Sequence, residues 1–510
     1  MKIRIAARKS DLARLQARRV GDALLEKDPS LQIEYKFRES LGDQNQNDPL
    51  WKMPERGVFT QDFLGDLIAG NCDLVVHSWK DLPLDNREET SIAATLPRAD
   101  ARDLMLVKKQ GWKRAVERNT FRVFSSSPRR AYNLESFLKR ALPHSFEKID
   151  FEVVRGNVQT RIRKLLANDE VDGLVVAKAA IDRLLQSTEE EFRESRDFVS
   201  EALAQCRFMV LPYRENPSAA AQGALAVEIK KGRSDLEALL AKIHCARSFA
   251  AAQKEREVLG TFGGGCHQKI GVSVIDCAWG QVLSLRGLTT AGQVLDEWKI
   301  VASEPRAFKF EESWPQPGEK NKFFEREVLS NLPFPVNANA FWVAREEAWP
   351  RDWNAPEAAL LWTSGIETWF KLARRGLWVT GSNEGLGEDR ETGLESLVPN
   401  GLRWLKLSHD RSPENTMPRM VTYRLKDLPP ADLAPLVEKL SQKKHFFWMS
   451  GTQFAKALEL VPQIRHAQHA CGPGNTWHAI RRILGPEAFI ELRLSFDEWM
   501  ANGLFKSPKQ

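Results

Sequence analysis

Short apolar runs alternate with helical patterns through the first two hundred residues. Ile3 to Ala7 reads as a short strand. Asp11 to Leu25 has helical spacing, with Leu12, Leu15, Val20 and Leu24 mostly on one face and Ser10 placed to cap its start. Cys72 to His77 (Cys-Asp-Leu-Val-Val-His) and Gly173 to Ala177 (Gly-Leu-Val-Val-Ala) are buried-strand patterns, each followed by a polar segment. This alternation predicts α/β layers with mostly parallel sheets, whose ligands collect at the carboxyl ends of strands. Residues 186–200 read as a surface helix or loop, and Leu236 to Leu259 as one long helix. Val282 to Leu288 and Val294 to Val301 read as strands of a small α+β unit. Residues 304–335, with Pro305, Pro315, Pro317, Pro333 and Pro335, read as a linker. A second α/β unit is expected beyond it, with strands at Ala340–Val343, Ala359–Trp362, Leu377–Thr380, Met420–Tyr423 and His445–Met449.

Composition narrows the class. At 510 residues about two to four domains are expected. Hydrophobic content of 42% and charged content of 28% fit a soluble globular protein. A net charge of +6 is too mild for a dedicated nucleic-acid binder but suits acidic small molecules. The six cysteines lack CxxC spacing, and the histidines form neither HxxxH nor HExxH, so neither a disulfide framework nor a metal site is expected. Met1-Lys2-Ile3-Arg4-Ile5-Ala6 reads as a first strand rather than a signal peptide, and no run approaches the roughly 18 apolar residues that span a bilayer. The cytoplasm is the expected compartment.

Three kinds of chemistry stand out. Ser125-Ser126-Ser127-Pro128-Arg129-Arg130 and Arg155-Gly156-Asn157-Val158-Gln159-Thr160-Arg161 offer hydroxyls and guanidinium forks, which bind carboxylates in bidentate fashion. An isolated arginine is usually a solvated charge; the serines ahead of one pair, and Gly156 beside Arg155, favour a ligand. Asp81, in His77-Ser78-Trp79-Lys80-Asp81-Leu82-Pro83, follows a buried strand. Its bland reading is a surface ion pair with Lys80; its functional reading is a fixed carboxylate that stabilises a developing cation. Cys266, in Gly263-Gly264-Gly265-Cys266-His267, is more often a small core residue by type. Three glycines argue against core packing and for a modified or ligand-bearing thiol.

Taken together these residues resemble the porphobilinogen deaminase (hydroxymethylbilane synthase) family over roughly residues 1–303. The likeness is carried by Ala7-Arg8-Lys9-Ser10, Gly57-Val58-Phe59, the 77–83 segment, Ser126-Ser127-Pro128-Arg129-Arg130, Arg155-Gly156-Asn157-Val158, Ala221-Gln222-Gly223-Ala224 and Gly264-Gly265-Cys266. The resemblance implies a dipyrromethane cofactor joined by a thioether to Cys266. Four porphobilinogen molecules are added to it with release of ammonia, and water frees hydroxymethylbilane. It implies that Asp81 is the central catalytic residue, stabilising positive charge formed by deamination and holding pyrrole N–H groups. Ser78, Lys80, Ser125, Ser126, Arg129, Arg130, Arg155 and Gly156 would hold the cofactor. Arg8, Ser10, Arg56, Phe59, Arg161 and Arg183 would bind substrate. The implied fold has two periplasmic-binding-protein-like α/β domains, at 1–100 with 213–235 and at 101–212, plus a small α+β domain at 236–303 carrying the cysteine. A monomer is expected. Departures from the family pattern are Arg56 for lysine, Pro128 for leucine, Leu41 for arginine, His267-Gln268-Lys269 after the cysteine, and a longer 186–215 stretch.

Residues 336–510 resemble uroporphyrinogen-III synthase in Thr363-Ser364-Gly365, Trp378-Val379-Thr380-Gly381-Ser382, Val421-Thr422-Tyr423, Met449-Ser450-Gly451 and Cys471-Gly472-Pro473-Gly474-Asn475-Thr476. That family has two α/β domains and closes hydroxymethylbilane into uroporphyrinogen III. Tyr423 would assist loss of the hydroxyl as a second catalytic residue. The alternatives are a non-catalytic appended domain, or a whole chain that binds anions as periplasmic proteins do without catalysis.

Overall fold

The computed structural model describes residues 1–39, 61–84, 87–263, 268–301, 306–318, 322–412 and 417–503. Leu41, Arg56, Gly57, Val58, Phe59, Gly264, Gly265, Cys266 and His267 lie outside the described residues. The chain forms two compact units. One comprises Met1–Arg140, His144–Asp276 and Leu283–Glu297; the other comprises Ala141–Pro143, Cys277–Val282 and Trp298–Gln510.

The first unit opens with β1 (Lys2–Arg8), β2 (Gln32–Arg38), β3 (Leu74–Ser78) and β4 (Thr90–Ala94). There follow β5 (Asp103–Lys108), β6 (Thr120–Phe124), β7 (Lys148–Glu152), β8 (Gly173–Ala177), β9 (Cys206–Val210) and β10 (Leu225–Lys230). They build two five-stranded sheets, ordered β2-β1-β3-β10-β4 and β7-β6-β8-β5-β9. Strand β1 is buried on both faces. Ile3, Ile5 and Ala7 pack with Ala17, Val20 and Leu24 of the Asp11–Lys27 helix, while Ala6 packs with Phe63 and Leu67. Its alternation of Ile3 and Ile5 with Arg4, which pairs with Asp73 at 2.9 Å, is what makes it visible in the sequence.

The sheets are mixed rather than mostly parallel. β1 runs parallel to β2 and β3, and β6 to β7 and β8. β10 is antiparallel to β3 and β4, and β5 to β8 and β9. Apolar patterning marks which faces are buried but carries no direction. The predicted single helix over 236–259 is two helices, Ser234–Ala241 and Ala246–Gly260. Between them the Cys245 N–H leaves the helical ladder and bonds the Thr95 carbonyl at 2.8 Å. In the 186–200 stretch a short turn at Glu190–Phe192 leads into the helix Arg193–Ala204, with Phe192 buried. A three-stranded sheet follows: β11 (Gly271–Cys277), β12 (Gly280–Leu288) and β13 (Val294–Ile300).

The second unit contains β14 (Ser313–Trp314), β15 (Phe324–Val328), β16 (Ala340–Val343), β17 (Leu360–Thr363) and β18 (Val379–Ser382). It continues with β19 (Trp404–His409), β20 (Arg419–Asp427), β21 (His445–Trp448), β22 (Gln468–Cys471) and β23 (Ile490–Leu492). A six-stranded sheet, β15-β20-β19-β16-β17-β18, stands beside a four-stranded parallel one, β14-β21-β22-β23. The predicted linker over 304–335 is therefore corrected. It supplies β14, whose Trp314 is buried with Phe446 and Trp448, and β15, which pairs with β20. Pro315 and Pro317 follow β14, and Pro333 and Pro335 follow β15, instead of interrupting them. The chain passes from the four-stranded sheet to the six-stranded one along β15 and returns along the antiparallel β20.

One fully buried carboxylate organises the first unit. Asp103, at the head of β5, is 0% exposed and accepts four hydrogen bonds. Arg129 donates at 2.8 Å, Arg130 at 2.7 Å, Asn216 at 2.9 Å and Gln222 at 2.8 Å. Burial alone would raise its pKa; Arg130 and Arg129 reverse this and hold it far below the ordinary carboxylate range. A carboxylate with a lowered folded pKa stabilises above its unfolded pKa, near 3.9, and loses that contribution as pH falls toward the folded value. Asp103→Asn is therefore expected to cost about 3–5 kcal/mol at neutral pH. The gap to the parent chain should narrow as pH drops below about 4, read as urea midpoints across that range.

Candidate functional site

Strand β3 delivers the first part of the site. It ends at Ser78, whose hydroxyl pairs with the Gln16 side chain at 2.9 and 3.1 Å. The single-turn helix Trp79–Asp81 follows. Trp79 points inward, buried with Ala221, Ala224 and Ala252, and its N–H bonds the Ala224 carbonyl at 3.1 Å. With Trp79 locked in, Asp81 is turned out to solvent. Lys80 is half-buried and donates to Gln222 Oε1 at 3.1 Å. Burial lowers its pKa, with the charge of Asp81 acting in the opposite direction.

The serine–arginine segment follows β6. Ser125 is buried, and its Oγ accepts the Ser127 N–H at 3.3 Å. Ser127 Oγ in turn accepts the Arg130 N–H at 3.5 Å. Pro128 is the first residue of the helix Pro128–Ala141, a position where no backbone N–H is required, so this departure from the family pattern fits. Arg129 and Arg130 in that first turn both reach Asp103. Arg129 also donates to Asn216 Oδ1 and the Pro217 carbonyl, so its terminal nitrogens serve the fold. Arg130 donates to the Val175 carbonyl at 3.1 Å, but its buried Nε has no partner.

The third segment is the turn after β7. Gly156 has φ +113, and a Cβ there would sit 2.6 Å from Thr160 Cγ2. Only glycine closes this turn over the start of the helix Val158–Ala167, which Asn157 caps by accepting the Thr160 N–H at 2.8 Å. Arg161 donates from Nε to the Gly156 carbonyl at 2.8 Å. Burial pushes its pKa down to about 10; the charges of Arg130 and Arg155 push the same way, and Asp81 partly offsets them. The charges of Arg130, Arg155 and Asp81 thus all act on Arg161, two cations against one carboxylate.

Other predicted residues stand elsewhere. Arg183 is buried, donates to the Gly223 carbonyl at 2.7 Å and keeps an unpartnered Nε. Burial pushes its pKa down to about 10, and Arg19 acts in the same sense. Arg8 closes β1, and Ser10 precedes the Asp11–Lys27 helix without capping it through its side chain. Cys266, Arg56 and Phe59 lie outside the described residues. Asp103 and Gln222 escaped sequence reasoning as site residues. The signal for Asp103 was an acid at the head of a strand buried along its whole length; Gln222 lay inside a motif without an assigned role.

In the second unit Tyr423, on β20, is only 2% exposed. Its ring lies 5.5 Å from His409 and its hydroxyl bonds Ser408. Burial raises its pKa and pushes that of His409 down to about 4. A cavity of about 560 Å³ is lined by Asp389, Asn475, His478, Arg481 and Arg482, beside the helix Asn475–Leu484 that follows Gly472-Pro473-Gly474. Among the described residues no helix is long and apolar enough to cross a membrane.

These features fit a polycarboxylate group. The unpartnered Nε of Arg130 and the cationic charges acting on Arg161 are features that bound carboxylates would satisfy. Residues 3–238 match the family model "Porphobilinogen deaminase, dipyromethane cofactor binding domain". The porphobilinogen deaminase of Syntrophomonas wolfei subsp. wolfei is 35% identical over 288 residues, covering 56% of this chain and 84% of its own. That of Clostridium novyi is 32% identical over 271 residues, covering 53% and 83%. That of Bordetella parapertussis is 33% identical over 306 residues, covering 60% and 87%. With an arginine-rich neighbourhood suited to carboxylates and relatives matched over more than four fifths of their length, the chain belongs to the porphobilinogen deaminase family.

Proposed function

We propose that the first unit polymerises four porphobilinogen molecules into hydroxymethylbilane, with Asp81 at the reacting position and Cys266 as the tether. The observation that supports this is the charge environment of Arg161, on which Arg130 and Arg155 act in one sense and the carboxylate of Asp81 in the other. When bound, dipyrromethane supplies the acceptor pyrrole for chain growth. Arg130, Arg155 and Arg161 would hold its carboxylates and those of the growing product. Asp81 sits on a turn anchored by Trp79, from which its charge would stabilise positive charge or accept pyrrole N–H bonds. Two charges 4 Å apart interact by about 4 kcal/mol at an effective dielectric of 20, enough to change a rate by about three orders of magnitude. The division into domains at 1–100 with 213–235, 101–212 and 236–303 belongs to this reading. It follows the three sheets.

The second unit is proposed to close hydroxymethylbilane into uroporphyrinogen III. Its two α/β sheets, the Ser450 and Gly474 loops that open helices, and the cavity beside His478 and Arg482 support this reading. The burial of Tyr423 favours the rival, a non-catalytic appended region.

Three outcomes test these readings. Intact mass of the purified chain should exceed the bare polypeptide by one dipyrromethane, and Cys266→Ser should return it to the bare mass. Asp81→Ala should keep the fold and lose at least about 100-fold in turnover; near-normal turnover removes Asp81 from the mechanism. The intact chain should yield uroporphyrinogen III, shifting toward isomer I in Tyr423→Phe. Isomer I alone from the parent chain would mean that the second unit is not a working synthase.

A further inference from the structure

The helix Ala246–Gly260 leads into the segment that holds Cys266. It is anchored at Glu255, which is 0% exposed and accepts two bonds from Arg98 at 2.8 Å. Glu255 also accepts the N–H groups of Ala221 and Val274 at 2.7 Å. The next residue, Arg256, points to the Asp81 turn. Its Nη1 donates to the carbonyls of Trp79 at 3.4 Å and Leu82 at 3.0 Å, and its Nη2 to that of Pro83. These acceptors bracket Asp81 on both sides. The same helix supports the turn from below, with Phe249 and Trp79 rings 5.0 Å apart. Burial pushes the Arg256 pKa down to about 10, so this guanidinium is held at some cost to its charged form.

We propose that Arg256 is a positioning residue for the deaminase reaction: it fixes the 79–83 turn, and with it the Asp81 carboxylate, in register with the helix that leads to the cysteine. The inference rests on the reading of Asp81 given above. An exposed carboxylate cannot hold its own place, and the turn is a single 3₁₀ turn with one internal bond, Leu82 N–H to the Trp79 carbonyl at 3.2 Å. A planar fork reaching three carbonyls pins both ends at once. A carboxylate displaced by about 1 Å from its reacting partner loses up to about 100-fold in rate.

The test uses the full chain, with tether occupancy verified by intact mass. Arg256→Gln is expected to lower kcat by about 10- to 100-fold while KM stays within about twofold. Hydrogen–deuterium exchange should rise in residues 78–84 and stay unchanged across the Ala246–Gly260 helix. Arg256→Lys, whose ammonium still donates to the carbonyls, should recover part of kcat. Unchanged kcat or unchanged exchange at 78–84 overturns the proposal. So does a loss of kcat that comes only with a lower urea midpoint and faster exchange throughout the helix, the mark of a merely structural role. If Asp81→Ala retains turnover, the reading of Asp81 fails, and the exchange result still decides whether Arg256 holds the turn.

Discussion

A single buried carboxylate against two guanidinium groups is the interaction on which the first unit turns. Desolvating one carboxylate and two arginines is costly, and their attraction offsets this only when geometry and additional donors satisfy every oxygen. Asp103 meets that condition through Arg129, Arg130, Asn216 and Gln222. The four donors come from two separate parts of the chain, one at the start of a helix and one in the segment before β10. The carboxylate thus joins two elements distant in the chain.

The balance of charge at that hub also shapes the site. One carboxylate faces two guanidinium groups, and Arg161 and Arg155 add to the excess. Carboxylates brought by a ligand would offset that excess. Arginine suits the task because it stays protonated even where burial and like charges push its pKa down, as at Arg161. Gln222 passes the arrangement on to Lys80, and so to the turn that presents Asp81. The site is therefore built from contacts among residues far apart in sequence, with the exposed carboxylate at its edge.

The second unit follows a different logic. Aromatic side chains fill its four-stranded half, with Trp314, Phe446 and Trp448 in one cluster. The antiparallel pair β15–β20 carries the chain out to the six-stranded sheet and back. Polar groups sit on the strands of the six-stranded sheet, Tyr423 buried and His409 half-buried, so their chemistry depends on what the packing around them allows.

The sequence by itself determined the buried strands and the order of the motifs. Gly173–Ala177 and Ala340–Val343 could be read to the residue, because a strand covered on both faces must be apolar throughout. The 77–83 and Ser-Arg segments could be placed as polar clusters that follow strands, but the structural employment of Arg129 and Arg130 on Asp103 could not. Strand direction, the break at Cys245, the strands hidden among the prolines of 304–335 and the partners of Arg129 were decided only by the tertiary structure. The last three each depend on a group distant in the chain: a carbonyl at Thr95, a tryptophan pocket around Phe446, a carboxylate at Asp103. Local patterning records how much of a residue is buried; it does not record what the residue meets there.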